Sequence, residues 1–279
     1  MGAAPPGGLV SAPGDAAPPG GLVSPPTNAE LMRVAEAAAR AAAPELVERF
    51  ARGAVNVTSK STDTDLVSEA DLAAERTIRA LLDRERPEDA IMGEEGDDTP
   101  GTTGLRWVVD PLDGTINYLF GHPQWCISVA CEGRAGVVYD PIRDELFAVA
   151  AGEPPTLNGA PLPPASTCAE LGSALVATGF GYAAEVRSVQ AAIVMRVLPA
   201  VRDIRRTGSA ALDLAWVAAG RLDAYYEHGV QPWDIAAGVL LCEGAGLHVE
   251  PLAEGGDLPQ GLLAAPAALT DALRALVAP

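Results

Sequence analysis

Apolar and polar residues alternate between helical and strand patterns along this chain. An alanine-rich run from Asn28 to about Arg52 opens on a residue suited to cap a helix. It predicts one long helix, with Pro44 placed to kink or divide it. A polar segment, Asn56 to Asp65, follows. A second helix is predicted over Glu69 to Arg86, with Leu72, Ile78, Leu81 and Leu82 on its buried side. Short apolar runs bounded by turn residues then predict strands through Ile91-Met92 and over Leu105–Val109, Trp125–Glu132, Ala135–Tyr139, Leu146–Ala150 and Thr156–Leu157. Beyond these the pattern alternates. Strands are predicted at Ser173–Thr178, Val201–Ile204, Ala224–Glu227 and Gly246–Val249. Helices are predicted at Val186–Leu198, Ala210–Ala219 and Ile235–Glu243. An antiparallel-rich first half and an αβ-alternating second half predict an α+β or layered α/β sandwich.

Composition bounds this picture. The chain has 279 residues, 48% of them hydrophobic, enough for a large core. Residues 1–27 are dominated by Ala, Pro and Gly, and the octapeptide Ala4–Ser11 recurs verbatim as Ala17–Ser24. A Pro-Pro-Gly-Gly repeat cannot bury a core, so a disordered tail is expected there. Residues 28–279 then form the folded domain, with a first half over 28–152 and a second over 153–279. The net charge of −18 argues against nucleic acid or an anionic membrane as the main partner. The four cysteines, Cys126, Cys131, Cys168 and Cys242, form no Cys-x-x-Cys pair and follow no signal peptide, so a reduced cytoplasmic protein is expected. Apolar runs fall well short of the ~20 residues of a membrane span.

The chemistry concentrates in Asp110-Pro111-Leu112-Asp113-Gly114-Thr115, after the apolar Trp107-Val108-Val109. Carboxylates at a strand end can seat a hard cation, and backbone amides at a helix start can seat a phosphate. Pro111 stiffens the link between the aspartates, and Gly114 admits a ligand close to the backbone. The candidate cation ligands are Glu94, Glu95, Asp110, Asp113 and Asp234. Mg²⁺ is satisfied by a few carboxylates, a carbonyl and water. The three histidines, His122, His228 and His248, include no close pair, which disfavours zinc. Trp233-Asp234-Ile235-Ala236-Ala237-Gly238 is a second anchor: Asp234 suits a helix N-cap or a cation, and the small residues after it allow close helix packing.

These motifs together resemble the inositol monophosphatase family of Mg²⁺-dependent, lithium-sensitive phosphatases. The resemblance spans roughly residues 56–249. It rests on Lys60, Asp65-Leu66-Val67-Ser68-Glu69-Ala70-Asp71, Gly93-Glu94-Glu95, Trp107 through Tyr118, and Trp233 through Gly238. It implies the α-β-α-β-α sandwich shared with fructose-1,6-bisphosphatase, usually assembled as a homodimer, with two or three Mg²⁺ ions. By the same resemblance Glu94, Asp110 and the Leu112 carbonyl match a first metal site, and Asp110, Asp113 and Asp234 a second. Glu94 also matches a third, weaker one. Asp71 and Thr115 match the pair that activates water, with Glu94 beside them. Gly114 and Thr115 match the phosphate-cradling amides. Gly208, Ser209, Ala210 and Glu227 match positions that contact the substrate, together with Asp113 and Asp234. Gly96 and Ser68 stand where Ser or Thr, and Thr, are frequent, and Tyr118 where Phe is common; none of these removes a ligand.

The resemblance implies hydrolysis of a small phosphorylated polyol, foremost inositol-1-phosphate. Histidinol-phosphate phosphatase, fructose-1,6-bisphosphatase and 3′-phosphoadenosine phosphatase are the alternatives, with a non-catalytic regulatory binding protein behind them. Asp63-Thr64-Asp65-Leu66-Val67 fits the aspartyl-nucleophile pattern of haloacid-dehalogenase phosphatases, but polar residues precede it where that motif needs an apolar strand. No cysteine has the arginine spacing of a cysteine phosphatase. Cys126 and Cys131 read as core fillers, and His122 and His228 as structural or surface residues near the site.

Overall fold

The computed structural model describes residues 1–2, 25–53, 58–59, 66–67 and 69–279, the short pairs by backbone alone. The repeated tail, Lys60, the Asp63–Asp65 decoy and most of the Asn56–Asp65 segment lie outside the described residues, as does Ser68. In chain order the elements are α1 (Asn28–Arg52), β1 (Thr58–Ser59), β2 (Leu66–Val67), α2 (Glu69–Glu85), β3 (Ala90–Gly93), β4 (Arg106–Asp113), α3 (Thr115–Leu119), β5 (Cys126–Cys131), β6 (Ala135–Asp140) and β7 (Glu145–Ala150). There follow β8 (Thr156–Leu157), β9 (Ala160–Pro161), β10 (Leu175–Thr178), α4 (Ala184–Val197), β11 (Asp203–Arg205), α5 (Ala210–Ala218) and β12 (Ala224–His228). The chain closes with α6 (Pro232–Gly244), β13 (His248–Leu252), β14 (Gly261–Ala265) and α7 (Ala267–Val277).

Five layers result. Helices α1 and α2 cover one face of a seven-stranded sheet ordered β3-β4-β5-β6-β7-β8-β9. Helices α5 and α6 lie between its other face and a five-stranded sheet ordered β11-β10-β12-β14-β13, whose far side is closed by α4 and α7. This is the predicted α-β-α-β-α sandwich. Every residue of β5 and β6 is buried because both faces of the first sheet are covered. Successive side chains serve opposite layers: Ile127, Val129 and Cys131 pack under α1 and α2, whereas Cys126 and Ala130 pack under α5 and α6. Both cysteines are buried fillers, although Cys126 also borders the site described below.

Several sequence expectations need correction. Helix α1 runs through Pro44 as one helix, and its cap is Thr27 rather than Asn28. Thr27 and Glu30 form a capping box, while the Asn28 side chain is spent on Ala151 and Arg134. Leu72 is 39% exposed, because the face of α2 turned inward is Asp71, Ala74, Glu75 and Ile78. The sequence pattern predicts only the start of β13; the rest of its hairpin with β14 and helix α7 are added by the structure. Among the described residues no helix is long and apolar enough to cross a membrane.

Candidate active site

Strand β4 does not stop at Val109; it continues to Asp113, with Pro111 inside it. Asp110 pairs with Ser128 and Asp113 with Cys126, so three steps on β4 meet two on β5. That extra residue is a bulge. Residues three apart on a regular strand point to opposite faces, and one inserted residue returns them to the same side. The bulge, not a free turn, is what brings both aspartates to one cleft. Pro111 suits it because proline has no N–H to give the ladder. Gly114 follows at φ +99°, where a Cβ would also lie 2.9 Å from the Gln124 carbonyl oxygen, so only glycine carries the chain into α3.

The cleft, of about 430 Å³, is bordered by Glu94 from the turn after β3, by Asp110, Leu112 and Asp113 of β4, and by Gly114 and Thr115. Gly208 and Ala210 at the start of α5, Glu227 on β12 and Asp234 on α6 also line it. Four of the five candidate cation ligands therefore meet; Glu95 does not border the cleft. Ser209 is buried beneath the wall. Its hydroxyl donates to Asp113 Oδ2 at 2.7 Å, alongside the Ala211 amide at 2.7 Å, and it caps α5 by accepting from the Leu212 amide. Asp71 is fully buried behind Thr115, whose hydroxyl lies 3.0 Å from Asp71 Oδ1 and 3.1 Å from the Leu112 carbonyl.

Asp234 is not the N-cap of α6. Gln231 holds that position, and the Asp234 carboxylate accepts its amide at 2.6 Å in a capping box. Asp110 likewise accepts the Leu112 amide at 2.9 Å. Each aspartate thus has at least one oxygen fixed by a protein donor. Among the described residues no three acidic, histidine or cysteine side chains surround a single point closely enough to form a finished cation cage. The electrostatics nonetheless fit a cation. Burial, then the charges of Glu94, Asp113 and Asp234, push the Asp110 carboxyl far above its usual range. Burial and the Asp113 charge do the same to Asp234. Burial raises Asp113 to about 6 against the opposing hydrogen bonds from Ser209 and Ala211. Crowded, desolvated carboxylates of this kind are relieved by a hard cation with oxygen preference, and the histidine at the cleft, His228, has its ring nitrogens turned to backbone carbonyls.

Beyond these acids, burial lifts Glu227 to about 7, and the Tyr225 hydroxyl, 3.0 Å away, restrains the rise. Sequence reasoning missed Phe180, Tyr182 and Arg206, which also border the cleft. The Arg206 guanidinium sits 5.7 Å over the Phe180 ring. Their signals were present but weak: Arg206 directly precedes Thr207-Gly208-Ser209-Ala210, and Gly179-Phe180-Gly181 follows a strand. Asn117 ties this wall to α3, donating to the carbonyls of Gln124 at 2.7 Å and Thr207 at 2.8 Å. His228 reaches the cleft edge, but its ring nitrogens face the carbonyls of Pro259 and Val277, a structural use. His122 is exposed outside it.

Comparison with known proteins identifies the family. The model of the inositol monophosphatase family matches residues 27–278. The inositol-1-monophosphatase of Mycobacterium bovis is 42% identical over 215 residues, covering 73% of this chain and 74% of that protein. The Nus factor SuhB of Escherichia coli K12 is 39% identical over 222 residues, covering 77% and 83%. The crystal structure of the extragenic suppressor protein suhB from Bartonella henselae superposes with a TM-score of 0.81 at 34% identity, covering 88% of this chain and 97% of that one. The chain belongs to the inositol monophosphatase family.

Proposed function

We propose that this chain is a Mg²⁺-dependent phosphomonoesterase that hydrolyses inositol-1-phosphate to inositol and phosphate. The observation that carries the reading is the Thr115–Asp71 hydrogen bond of 3.0 Å at the wall of a cleft that also gathers Glu94, Asp110, Asp113 and Asp234. In this reading Glu94, Asp110 and the Leu112 carbonyl would hold one cation, and Asp110, Asp113 and Asp234 a second, with a third, weaker ion also relying on Glu94. Mg²⁺ bound there would supply charge neutralisation at the phosphate and make the attacking water more acidic.

The protein's own groups do the rest. Thr115 Oγ1, donating its hydrogen to Asp71, turns a lone pair to the cleft and accepts a hydrogen bond from the attacking water. Asp71 takes the proton that leaves through that hydroxyl, and as the bond between phosphorus and the ester oxygen breaks the departing alkoxide takes a proton from solvent. Gly114 and Thr115 receive the phosphate oxygens. Gly208, Ala210 and Glu227 face the hydroxyls of the departing alcohol, with Ser209 acting from below through Asp113. Phosphoryl transfer asks mainly for positioning and charge stabilisation, so no covalent nucleophile is required. A homodimer belongs to the same proposal and rests on the family resemblance, and a reduced, cytoplasmic setting rests on the cysteine pattern.

A second reading is a regulatory binding role on the same fold, favoured by relatives that carry the name Nus factor. The retained cleft carboxylates support the enzymatic reading over it. The test is kcat/KM for inositol-1-phosphate, histidinol phosphate, fructose-1,6-bisphosphate and 3′-phosphoadenosine 5′-phosphate with Mg²⁺, with and without lithium. Inositol-1-phosphate leading the panel, with lithium inhibition, is the predicted result. Another substrate leading by tenfold would reassign the substrate, and no turnover of any would leave the binding role.

A further inference from the structure

Glu75 lies outside the cleft, yet it is a carboxylate only 2% exposed. It stands one helical turn after Asp71 on α2, on the same inward face. Its Oε2 accepts the Glu95 amide at 2.8 Å, and its Oε1 accepts the Gly96 amide at 2.9 Å. Arg79, a further turn along, donates to Glu75 Oε1 at 2.6 Å and reaches on to the Gly96 carbonyl at 3.3 Å and the Thr99 hydroxyl at 3.2 Å. The Glu94 amide meanwhile donates to the Val109 carbonyl on β4 at 3.2 Å. Three successive amides, those of Glu94, Glu95 and Gly96, are therefore tied down, the first to the strand of the two aspartates and the next two to Glu75.

We propose that Glu75 is a positioning residue for Glu94: its buried carboxylate, braced by Arg79, clamps the amides after Glu94 and so fixes that cation ligand against Asp110 and Asp113. Helix α2 then aligns two parts of the site at once, Asp71 against Thr115 and Glu75 against the Glu94 turn. The close fit has a sequence consequence at Gly93, where a Cβ would lie 2.3 Å from Glu75 Oε1. Gly93 lets the clamp approach, as does Gly96, where a Cβ would lie 2.8 Å from the same oxygen. Partners that orient a metal ligand typically change affinity by roughly 10–100-fold when removed.

The kinetic arm of the test rests on the phosphatase reading; the binding arm does not. Mn²⁺ binding to the purified full chain without substrate is measured by titration calorimetry, and the half-saturating Mg²⁺ for hydrolysis of inositol-1-phosphate is measured separately. Glu75→Gln keeps one acceptor oxygen, and Glu75→Ala keeps none. Both weaken Mn²⁺ binding, on the order of 10–100-fold, Ala more than Gln, and raise the half-saturating Mg²⁺ in the same order. At saturating ion the substrate KM stays within about threefold of the parent. Gly93→Ala, pressing on the clamp from the other side, has the same effect on ion binding and keeps the test decisive if Glu75→Ala does not fold. Ile78→Val, buried on the same helix, controls for loosening of the core and leaves ion affinity unchanged. Parent-like Mn²⁺ affinity in Glu75→Gln or Gly93→Ala, an equal loss in Ile78→Val, or no ion binding by the parent overturns the proposal. A parent that binds Mn²⁺ but hydrolyses nothing sinks the phosphatase reading alone.

Discussion

Thr115 and Asp71, 44 residues apart in sequence, meet in a buried hydrogen bond of 3.0 Å at the back of the cleft. The threonine starts the short helix α3, and the aspartate lies in the first turn of α2. Neither position explains the pairing by itself. The contact exists because the β4 bulge and Gly114 aim the start of α3 at α2. Thr115→Ser keeps the hydroxyl and is predicted to retain activity within about tenfold. Thr115→Val keeps the shape and loses the proton path, and kcat is predicted to fall by roughly 10²–10⁴, the range of a positioned proton-transfer group. Steady-state kinetics on the two variants check this, and near-parental kcat in Thr115→Val would remove Thr115 from the mechanism.

Cation binding should be linked to protons. With Asp113 raised to about 6 from the ordinary 3.8, the ion-free native state holds a proton that the unfolded chain has already released. The contribution of this group to stability therefore falls as pH rises from about 4 through about 6, and the deficit is complete above that. A cation that takes the proton's place removes the deficit. The Mg²⁺-induced rise in Tm is predicted to be small at pH 5 and larger at pH 7.5, with proton release seen by calorimetry in buffers of different ionisation enthalpy. Equal Mg²⁺ stabilisation at both pH values would contradict this linkage.

Glu227 tests the recognition of the departing alcohol. Its carboxylate accepts the Tyr225 hydroxyl near the end of β12, and it borders the same cleft as Thr115. Glu227→Gln is predicted to raise KM for inositol-1-phosphate by roughly tenfold, the scale of a weakened hydrogen bond to a charged group. Hydrolysis of p-nitrophenyl phosphate, whose alcohol lacks those hydroxyls, should change little. An equal effect on both substrates would give Glu227 a role at the phosphate instead.

Gly238 tests the packing that holds Asp234 in place. A Cβ on this residue of α6 would lie 2.6 Å from the Leu214 side chain on α5. The two helices of the central layer approach that closely only because position 238 is empty. Gly238→Val is predicted to destabilise the protein by about 1–3 kcal/mol through overpacking, read as a lower Tm. An unchanged Tm would show that the layer can separate without cost.

Much of this was legible in the sequence. The strands from Ile91 to Leu157 and the helices α2, α4 and α5 follow from apolar runs and turn residues. The small residues after Asp234 signal a close-packing face, and the structure has it between Gly238 and Leu214. The bulge was not legible, because Pro111 invites a strand to end at Val109, and only pairing with Ser128 and Cys126 shows that it continues. Leu72 looked buried because helical spacing cannot foresee that a fully buried Asp71 and a nearly buried Glu75 would claim the inner face of α2. Ser209 was placed at the substrate through family resemblance, but its hydroxyl is used beneath the wall on Asp113. Arg206 and Phe180 escaped notice because their meeting depends on two loops of different strands, which no local pattern records.

In the proposed function the Asp110–Asp113 bulge gathers carboxylates for cation-dependent phosphate ester hydrolysis. Asp113→Asn tests it most directly. Asparagine keeps an oxygen for the Ser209 hydroxyl and the Ala211 amide, so the fold should persist, as circular dichroism would report. The charge needed at the cation site is lost. Initial rates with inositol-1-phosphate at saturating Mg²⁺ are predicted to drop by roughly 10²-fold or more, the scale on which catalytic charge stabilisation is lost, while the parent enzyme loses its activity in EDTA and regains it with Mg²⁺. Near-parental turnover by folded Asp113→Asn, or parental activity that persists in EDTA, would contradict the claim.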